Sequence, residues 1–508
     1  MLKWLKRGLL SSLFAVAVSG TGWAIDPVDT SQLVNAVTAE KIRVHLCKLQ
    51  EIADRRGGNR VSGSLGHRDS VKYVTNRLIN AGYSVQVQQF PFVIFRENAP
   101  PGLVRTAPGN RVYETERDFT TMEFSGSGDV TGQLALARRI VLPPGDEPST
   151  SDSGCRPEDF DNVAGKIVLI QRGTCTFEEK ANFAAAAGAV GVVIFNEGQP
   201  GRTEVLGGTL GNPVPIPVVG TTFALGNDLY ERVRSRVRVE LILTIDSANE
   251  RITSTNVIAK RAGEVDNRVL IAGGHLDSVE EGPGIQDNGT GTAALLTIAE
   301  EFAKMNVRPR NSIRFAFWGG EEQGLKGSTH YVTKLSEREL SRIALNLNFD
   351  MIGSPNYVRF VYDGNGTIGP AGPPGSDVIE DVFVEYFDPL GLASEPTEFD
   401  GRSDYQAFIN AGIPAGGLFT GAEEIKTAEQ ARIYGGRAGV AYDPCYHEAC
   451  DDIDNPSNRA LNEIAKAAAH AIVTFAQTRE DISPARVAQR IGAGASVTVD
   501  YFGPHLVR

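Results

Sequence analysis

The sequence predicts an α/β protein, a mostly parallel mixed sheet sandwiched by helices, with a smaller β-rich α/β domain inserted into it. Three observations predict this. Apolar strand-like runs keep ending in polar, glycine-rich loops and then give way to helical spacing, the alternation of a sheet covered by helices. The 508-residue length exceeds the size at which a single core stops growing, so two domains are expected. A central stretch, about Gly126 to Ile245, is richer in Gly and Pro and holds none of the histidines.

The chain opens with Lys3, Lys6 and Arg7, runs through the apolar stretch Gly8 to Val18 and reaches small residues up to Ala24, the layout of a secretory signal peptide. The apolar run is shorter than the roughly 20 residues of a bilayer span, and no later stretch replaces it. Cleavage after Ala24 is expected, giving a secreted or periplasmic product without stable membrane association. Cleavage removes three positive charges and makes the net charge more negative than −12, which disfavours nucleic acid and anionic lipid as partners. A monomer is expected, although the sequence does not fix the oligomeric state.

Residues 25–125 and 246–478 read as one discontinuous domain, 126–245 as the insert, and 479–508 as an irregular C-terminal tail. The insert has its own short core in Lys166 to Ile170, the Ala-rich helix Ala181 to Ala187, Val190 to Phe195 and Ile216 to Val219. In the larger domain, Arg268 to Gly273, Ser312 to Trp318 and Ala344 to Phe349 read as strands. After Asp287, the apolar residues Leu295, Ile298, Ala299 and Phe302 recur at helical spacing. Of the five cysteines, Cys155 with Cys175 and Cys445 with Cys450 form local pairs, which in an oxidising compartment read as disulfides. Neither pair is a CxxC, which argues against a zinc knot. Cys47 stands alone and reads as a buried thiol.

Each strand of the larger domain hands over to a residue type suited to a metal: His275 after the first, Glu321 and Glu322 after the second, Asp350 after the third. Strand ends of open α/β sheets form the ligand crevice. Asp287 follows in a Gly-rich loop, and His447 lies in Asp443-Pro-Cys-Tyr-His447. Singly, such residues are more often satisfied polar groups or solvated pairs. Together they place imidazoles and carboxylates where apolar strands emerge, and charge gathered in that way calls for cations. The mixture suits zinc, and the absence of cysteine argues against a closed structural site. Two metals need a shared ligand, for which the Asp287 carboxylate is the candidate. One of Glu321 and Glu322 can bind metal while the other stays free to carry protons, its pKa raised by its neighbour.

The runs Gly274-His-Leu-Asp-Ser278, Gly282 to Gly291, Phe317-Trp-Gly-Gly-Glu-Glu322, Asn348 to Gly353, Gly401-Arg-Ser-Asp404 and Asp443 to His447 resemble the secreted two-zinc leucyl aminopeptidases. The resemblance implies that His275 and Asp350 hold one Zn2+, that Glu322 and His447 hold the other, and that Asp287 bridges them. It makes Glu321 the general base, Asp277 the carboxylate that orients the His275 imidazole, Tyr446 a donor to the developing oxyanion, and Arg402 a substrate-positioning residue. Tyr405 stands where relatives often have His. The run Gly165 to Phe177 with Lys180, the Ala-rich helix and Gly188 to Phe195 resembles a protease-associated (PA) domain, which implies a lid or substrate-access module. The activity so implied is removal of N-terminal residues, large and apolar such as Leu, from peptide substrates with a free N-terminus. A carboxypeptidase or dipeptidase on this scaffold would need a cation cluster for the substrate carboxylate, whereas Arg402 alone stands in a suitable motif. A receptor-like binding protein would lack ligands, and here every ligand position is filled. Asp443 with Asp451, Asp452 and Asp454 offers oxygen ligands to a structural Ca2+, although a solvated loop reads the same way.

Overall fold

In a computed structural model that describes residues 25–482, the strands Ala415–Phe419, Ile343–Phe349, Val265–His275 and Asn311–Trp318 lie side by side and parallel. Trp318 is in register with His275, and Asn348 with Gly273. The carboxyl ends of these strands therefore reach one edge of the sheet together. Each strand expected from the sequence is present and runs a residue or more longer at one or both ends. The signal-sequence reading, residues 1–24, lies outside the described residues, as does the tail beyond Ile482.

Alternate side chains of these strands enter opposite cores, as the two-residue period of a pleated strand requires. Leu270, Ala272, Phe315, Phe317, Leu345 and Leu347 pack under helices that include Ala39–Arg55, Thr290–Lys304 and Asn458–Gln477. Val269, Ile271, Ala316 and Trp318 face the other way, toward the helices Lys326–Lys334 and Tyr405–Asn410. Each fully buried Val, Leu, Ile or Phe among them contributes about 1.5–3 kcal/mol of transfer free energy. The helix expected after Asp287 is Thr290–Lys304, with Leu295, Ile298, Ala299 and Phe302 all buried. It starts hard against the Ile343–Phe349 strand, because Gly291 lies where a Cβ would sit 2.2 Å from the Phe349 carbonyl oxygen.

Two long antiparallel strands, Ser84–Ala107 and Glu240–Arg261, join this sheet to a second group of strands. Near its carboxyl end Glu240–Arg261 pairs with Asn311–Trp318, and near its amino end with Gly128–Leu136. From there Ile167–Gln171, Gly191–Phe195 and Val218–Thr221 follow in parallel order, with helices Phe177–Ala186 and Phe223–Arg234 packed against them. Thr176 and Glu179 cap the first of these helices reciprocally.

Both expected disulfides are present, with Cα separations of 5.7 Å for Cys155–Cys175 and 5.3 Å for Cys445–Cys450. Cys47 is not buried but exposed. It lies in the helix Ala39–Arg55, whose inner stripe is Ile42, Leu46, Leu49 and Ala53, and position 47 points away from that stripe. Among the described residues no helix is long and apolar enough to cross a membrane.

Candidate metal centre

At the shared strand edge the structure gathers every residue singled out as a ligand. His275 Nε2 lies 3.1 Å from Asp287 Oδ1 and 3.2 Å from Asp350 Oδ1. His447 Nε2 lies 3.2 Å from Asp287 Oδ2 and 3.1 Å from Glu322 Oε2. Asp287 thus turns one oxygen to each imidazole. Two overlapping clusters result, His275–Glu321–Asp350 and His275–Asp287–Glu322, each with one donor atom per residue within 4.8 Å of the others.

These residues fit a metal better than they fit one another. A ring nitrogen has a single hydrogen to give, yet each Nε2 faces two carboxylate oxygens. The spacings match those of ligand atoms around zinc, about 3.3 Å apart when the bonds are about 2.0 Å. Glu322 Oε1 is buried and has no hydrogen-bond partner among the described residues. Acidic neighbours dominate the electrostatics. Although burial opposes it, Asp350 and Glu321 raise the His275 imidazole well above its ordinary pKa. His447 is pushed up to about 11, its bonds to Asp287 and Glu322 outweighing burial. Burial and the Asp287 charge push Glu322 up to about 7. Carboxylates so crowded are a site for cations.

The chain's likeness to known proteins agrees with this chemistry. Residues 256–472 match peptidase family M28, and residues 130–229 match the PA domain. An aminopeptidase of Pseudomonas aeruginosa (strain UCBPP-PA14) is 47% identical over 434 residues, covering 84% of this chain and 79% of the relative. The chain belongs to peptidase family M28. Leucine aminopeptidase 2 of Arthroderma otae is 39% identical over 472 residues, covering 91% of this chain and 89% of the relative. Among solved structures, an aminopeptidase from Aneurinibacillus sp. strain AM-1 superposes with a TM-score of 0.68 at 26% identity, over 90% of this chain and 98% of that one. BSAP, a zinc aminopeptidase from Bacillus subtilis, gives 0.53 at 25% identity, over 88% and 99%. The protein is therefore a peptidase, a hydrolase of peptide bonds.

The M28 peptidase holds its remaining site residues as follows. His275 Nδ1 lies 3.2 Å from the backbone oxygen of Asp277 and 3.8 Å from its carboxylate. The Asp277 carboxylate instead accepts hydrogen bonds from Ser62 Oγ and from the Glu321 backbone N–H, linking the first imidazole to the Glu321 turn. Glu321 is buried, and burial together with Asp350 and Glu322 raises its carboxyl well above the usual range, against the pull of His275. Tyr446 stacks on His447 with ring centroids 3.9 Å apart. Its hydroxyl oxygen accepts from Arg402 Nη2 at 3.1 Å, which leaves the phenolic proton free to point into the site. Arg402 also pairs with Glu423 at 2.8 Å. Tyr405 is buried, with its hydroxyl donating to Asp400.

Several supporting residues of the peptidase lie outside the sequence motifs or at positions within them to which the sequence assigns no role. Ser403 Oγ donates to Asp350 Oδ2 at 2.5 Å, and it follows Arg402 directly in the Gly401 to Asp404 run. Asp451 accepts the backbone N–H groups of Gln286 and Asp287, fixing the loop of the shared carboxylate. Asp443 and Asp451 are buried rather than solvated, and the Asn455 amide donates to both. Arg60, fully buried, donates to the carbonyls of Leu276, Pro283 and Gly284 between His275 and Asp287. His447 has φ +57°, a left-handed conformation uncommon for residues other than glycine.

Proposed function

We propose that this peptidase is a secreted aminopeptidase that binds two zinc ions per chain and removes large apolar residues such as leucine from the free N-terminus of peptides. The splitting of the Asp287 carboxylate between His275 and His447 carries the two-ion reading. In it His275 and Asp350 hold one ion, Glu322 and His447 the other, and Asp287 both. When bound, zinc would polarise the scissile carbonyl and lower the pKa of water to about 7.

The residues of the chain then divide the work. Glu321, closed off from solvent and raised in pKa, takes the proton of the attacking water and returns it to the leaving amine. Tyr446, aligned by Arg402, donates to the developing oxyanion. Asp277 holds the backbone at Glu321 and the His275 side of the site in one network. The pocket over the centre has Met351, Tyr362 and Phe419 for an apolar side chain, and Glu398, Asp400 and Glu424 as acidic neighbours for a free amino group. Its guanidinium, Arg402, is already paired with Glu423 and Tyr446, which speaks against capture of a substrate carboxylate and hence against a carboxypeptidase.

The reading takes residues 1–24 as a cleaved signal, 25–125 and 246–478 as the catalytic domain, 126–245 as the inserted PA domain, and 479–508 as a tail of separate role. The disulfides support an oxidising compartment. A monomer without nucleic-acid partners accords with the acidic charge. Calcium has no part in the proposal, because the Asn455 amide already lies between Asp443 and Asp451. The test is hydrolysis of a leucyl anilide and of its N-acetylated form, each with and without a chelator. Cleavage of the free form alone, lost to the chelator and restored by zinc, is expected. Cleavage of the blocked form would overturn the reading.

A further inference from the structure

Glu322 borders two clefts. One is the pocket over His275, Asp350 and Tyr446. The other, about 220 Å³, runs from Glu322 toward the insert. One wall is Val93 and Phe95 of the long strand Ser84–Ala107, and Phe124 faces them with its ring centroid 6.3 Å from that of Phe95. Thr209 closes the insert side. Phe124 and Thr209 form one unit, because Glu123 N–H donates to Gly208 O and Val214 N–H to Phe124 O, both at 3.0 Å. Gln323 and Lys326, which follow Glu321 and Glu322 in sequence, complete the end nearest the metal centre. The Gln323 amide oxygen is buried and accepts no hydrogen bond from the described residues. Buried acceptors without a donor are uncommon in native proteins, and Gln323 itself lines this cleft beside the peptidase centre, where a peptide N–H could supply the missing donor once the amide turns toward it.

We propose that this second cleft binds the leaving side of the peptide, the residues that follow the scissile bond, with a large apolar side chain against Val93, Phe95 and Phe124 and a substrate backbone N–H on the Gln323 oxygen. The proposal rests on the aminopeptidase reading above and adds a second selectivity to it. The pocket over the metals reads the residue removed, while the cleft reads what is left behind. It also gives the insert a chemical task, since Thr209 belongs to the stretch that matches the PA domain.

The experiment compares kcat/KM of the zinc-loaded protein on Leu-Gly-Gly, Leu-Phe-Gly and Leu-Gly-Phe, with a leucyl anilide as reference. At least one Phe peptide is expected to exceed Leu-Gly-Gly by about ten-fold, mainly through KM, the discrimination an apolar subsite supplies. Thr209→Trp, which fills the cleft, is expected to bring that ratio to within about two-fold, with unchanged thermal unfolding. Hydrolysis of the anilide by the unsubstituted protein together with indifference to Phe overturns the cleft but not the aminopeptidase reading. Failure to hydrolyse the anilide overturns the aminopeptidase reading and, with it, the cleft. A Thr209→Trp protein with native unfolding and an unchanged ratio also overturns the cleft. Should that variant not fold, Phe124→Ala with the same peptides decides, the ratio falling if the cleft binds substrate and holding if it does not.

Discussion

Replacing Arg60 by methionine keeps much of the side-chain volume and removes the guanidinium that ties together the loop between His275 and Asp287. Arg60 is 0% exposed. Its Nε donates to Pro283 O at 2.9 Å, one terminal nitrogen donates to Gly284 O at 2.5 Å, and the other donates to Leu276 O. Each buried carbonyl deprived of its donor costs roughly 1–3 kcal/mol, of which entering water recovers part, so the loss comes to roughly 3–6 kcal/mol. The charge matters too. Burial lowers the Arg60 pKa to about 10 while Asp277, Asp451, Glu322 and Asp287 oppose the shift, so the variant also removes a buried cation that favours these four carboxylates. Zinc affinity is expected to fall roughly 10–100-fold, the usual effect of removing a group that orients metal ligands. Arg60→Lys keeps the charge but serves fewer of the three carbonyls, and an intermediate loss is expected. Urea unfolding of chelator-treated and zinc-loaded proteins, with zinc titration, measures both effects. An Arg60→Met protein within about 1 kcal/mol of the parent, at unchanged zinc affinity, would refute the reasoning, because those costs follow from the orphaned carbonyls themselves.

Glu321→Ala is expected to lower kcat on a leucyl anilide by about 10²–10⁴-fold with zinc content unchanged, the contribution of a positioned acid–base group; metal analysis beside the kinetics separates this from ligand loss. Tyr446→Phe and Arg402→Ala are each expected to reduce kcat about ten-fold or more, and the double variant to be little worse than either, because Arg402 acts through the Tyr446 hydroxyl. Additive losses in that cycle would mean that Arg402 works independently. Lys180 sits fully buried beside the Cys155–Cys175 disulfide, and burial lowers its pKa from 10.5 to about 8. The unfolded chain then binds more protons than the folded one between about pH 8 and 10.5, so this group makes stability rise with pH across that window, by up to about 3 kcal/mol. Urea unfolding from pH 7 to 10 should show the rise in the parent and not in Lys180→Met.

The central strands and the ligand positions were legible because both are local in sequence. Apolar runs such as Ser312 to Trp318 declare a buried strand, and the polar residues directly after them inherit its carboxyl end. The long ribbon of Ser84–Ala107 with Glu240–Arg261 was not legible. Its middle is half-buried or exposed on both faces, so no alternation of fully buried residues marks it, and its partner strand lies more than a hundred residues away. The supporting groups were hidden for the same reason. Arg60 stands in a polar, Gly-rich stretch and meets its carbonyls across a sequence separation of 216 residues or more. Asp451 read as part of an acidic surface run, yet it is 2% exposed because two backbone N–H groups of the Asp287 loop and the Asn455 amide satisfy it. Cys47 read as buried from its residue type, whereas the helix face it occupies decides otherwise. The partners of Arg402, an ion pair with Glu423 and a bond to Tyr446, were hidden by separation along the chain, since Tyr446 lies 44 residues away in sequence.

Everything functional in this account depends on two cations sharing Asp287. Anomalous diffraction at the zinc edge, from crystals of the zinc-loaded protein, tests it directly. Two peaks are predicted about 3.5–4 Å apart, one beside His275 and Asp350 and the other beside Glu322 and His447, with the Asp287 carboxylate between them. A single peak, or peaks remote from Asp287, would contradict it.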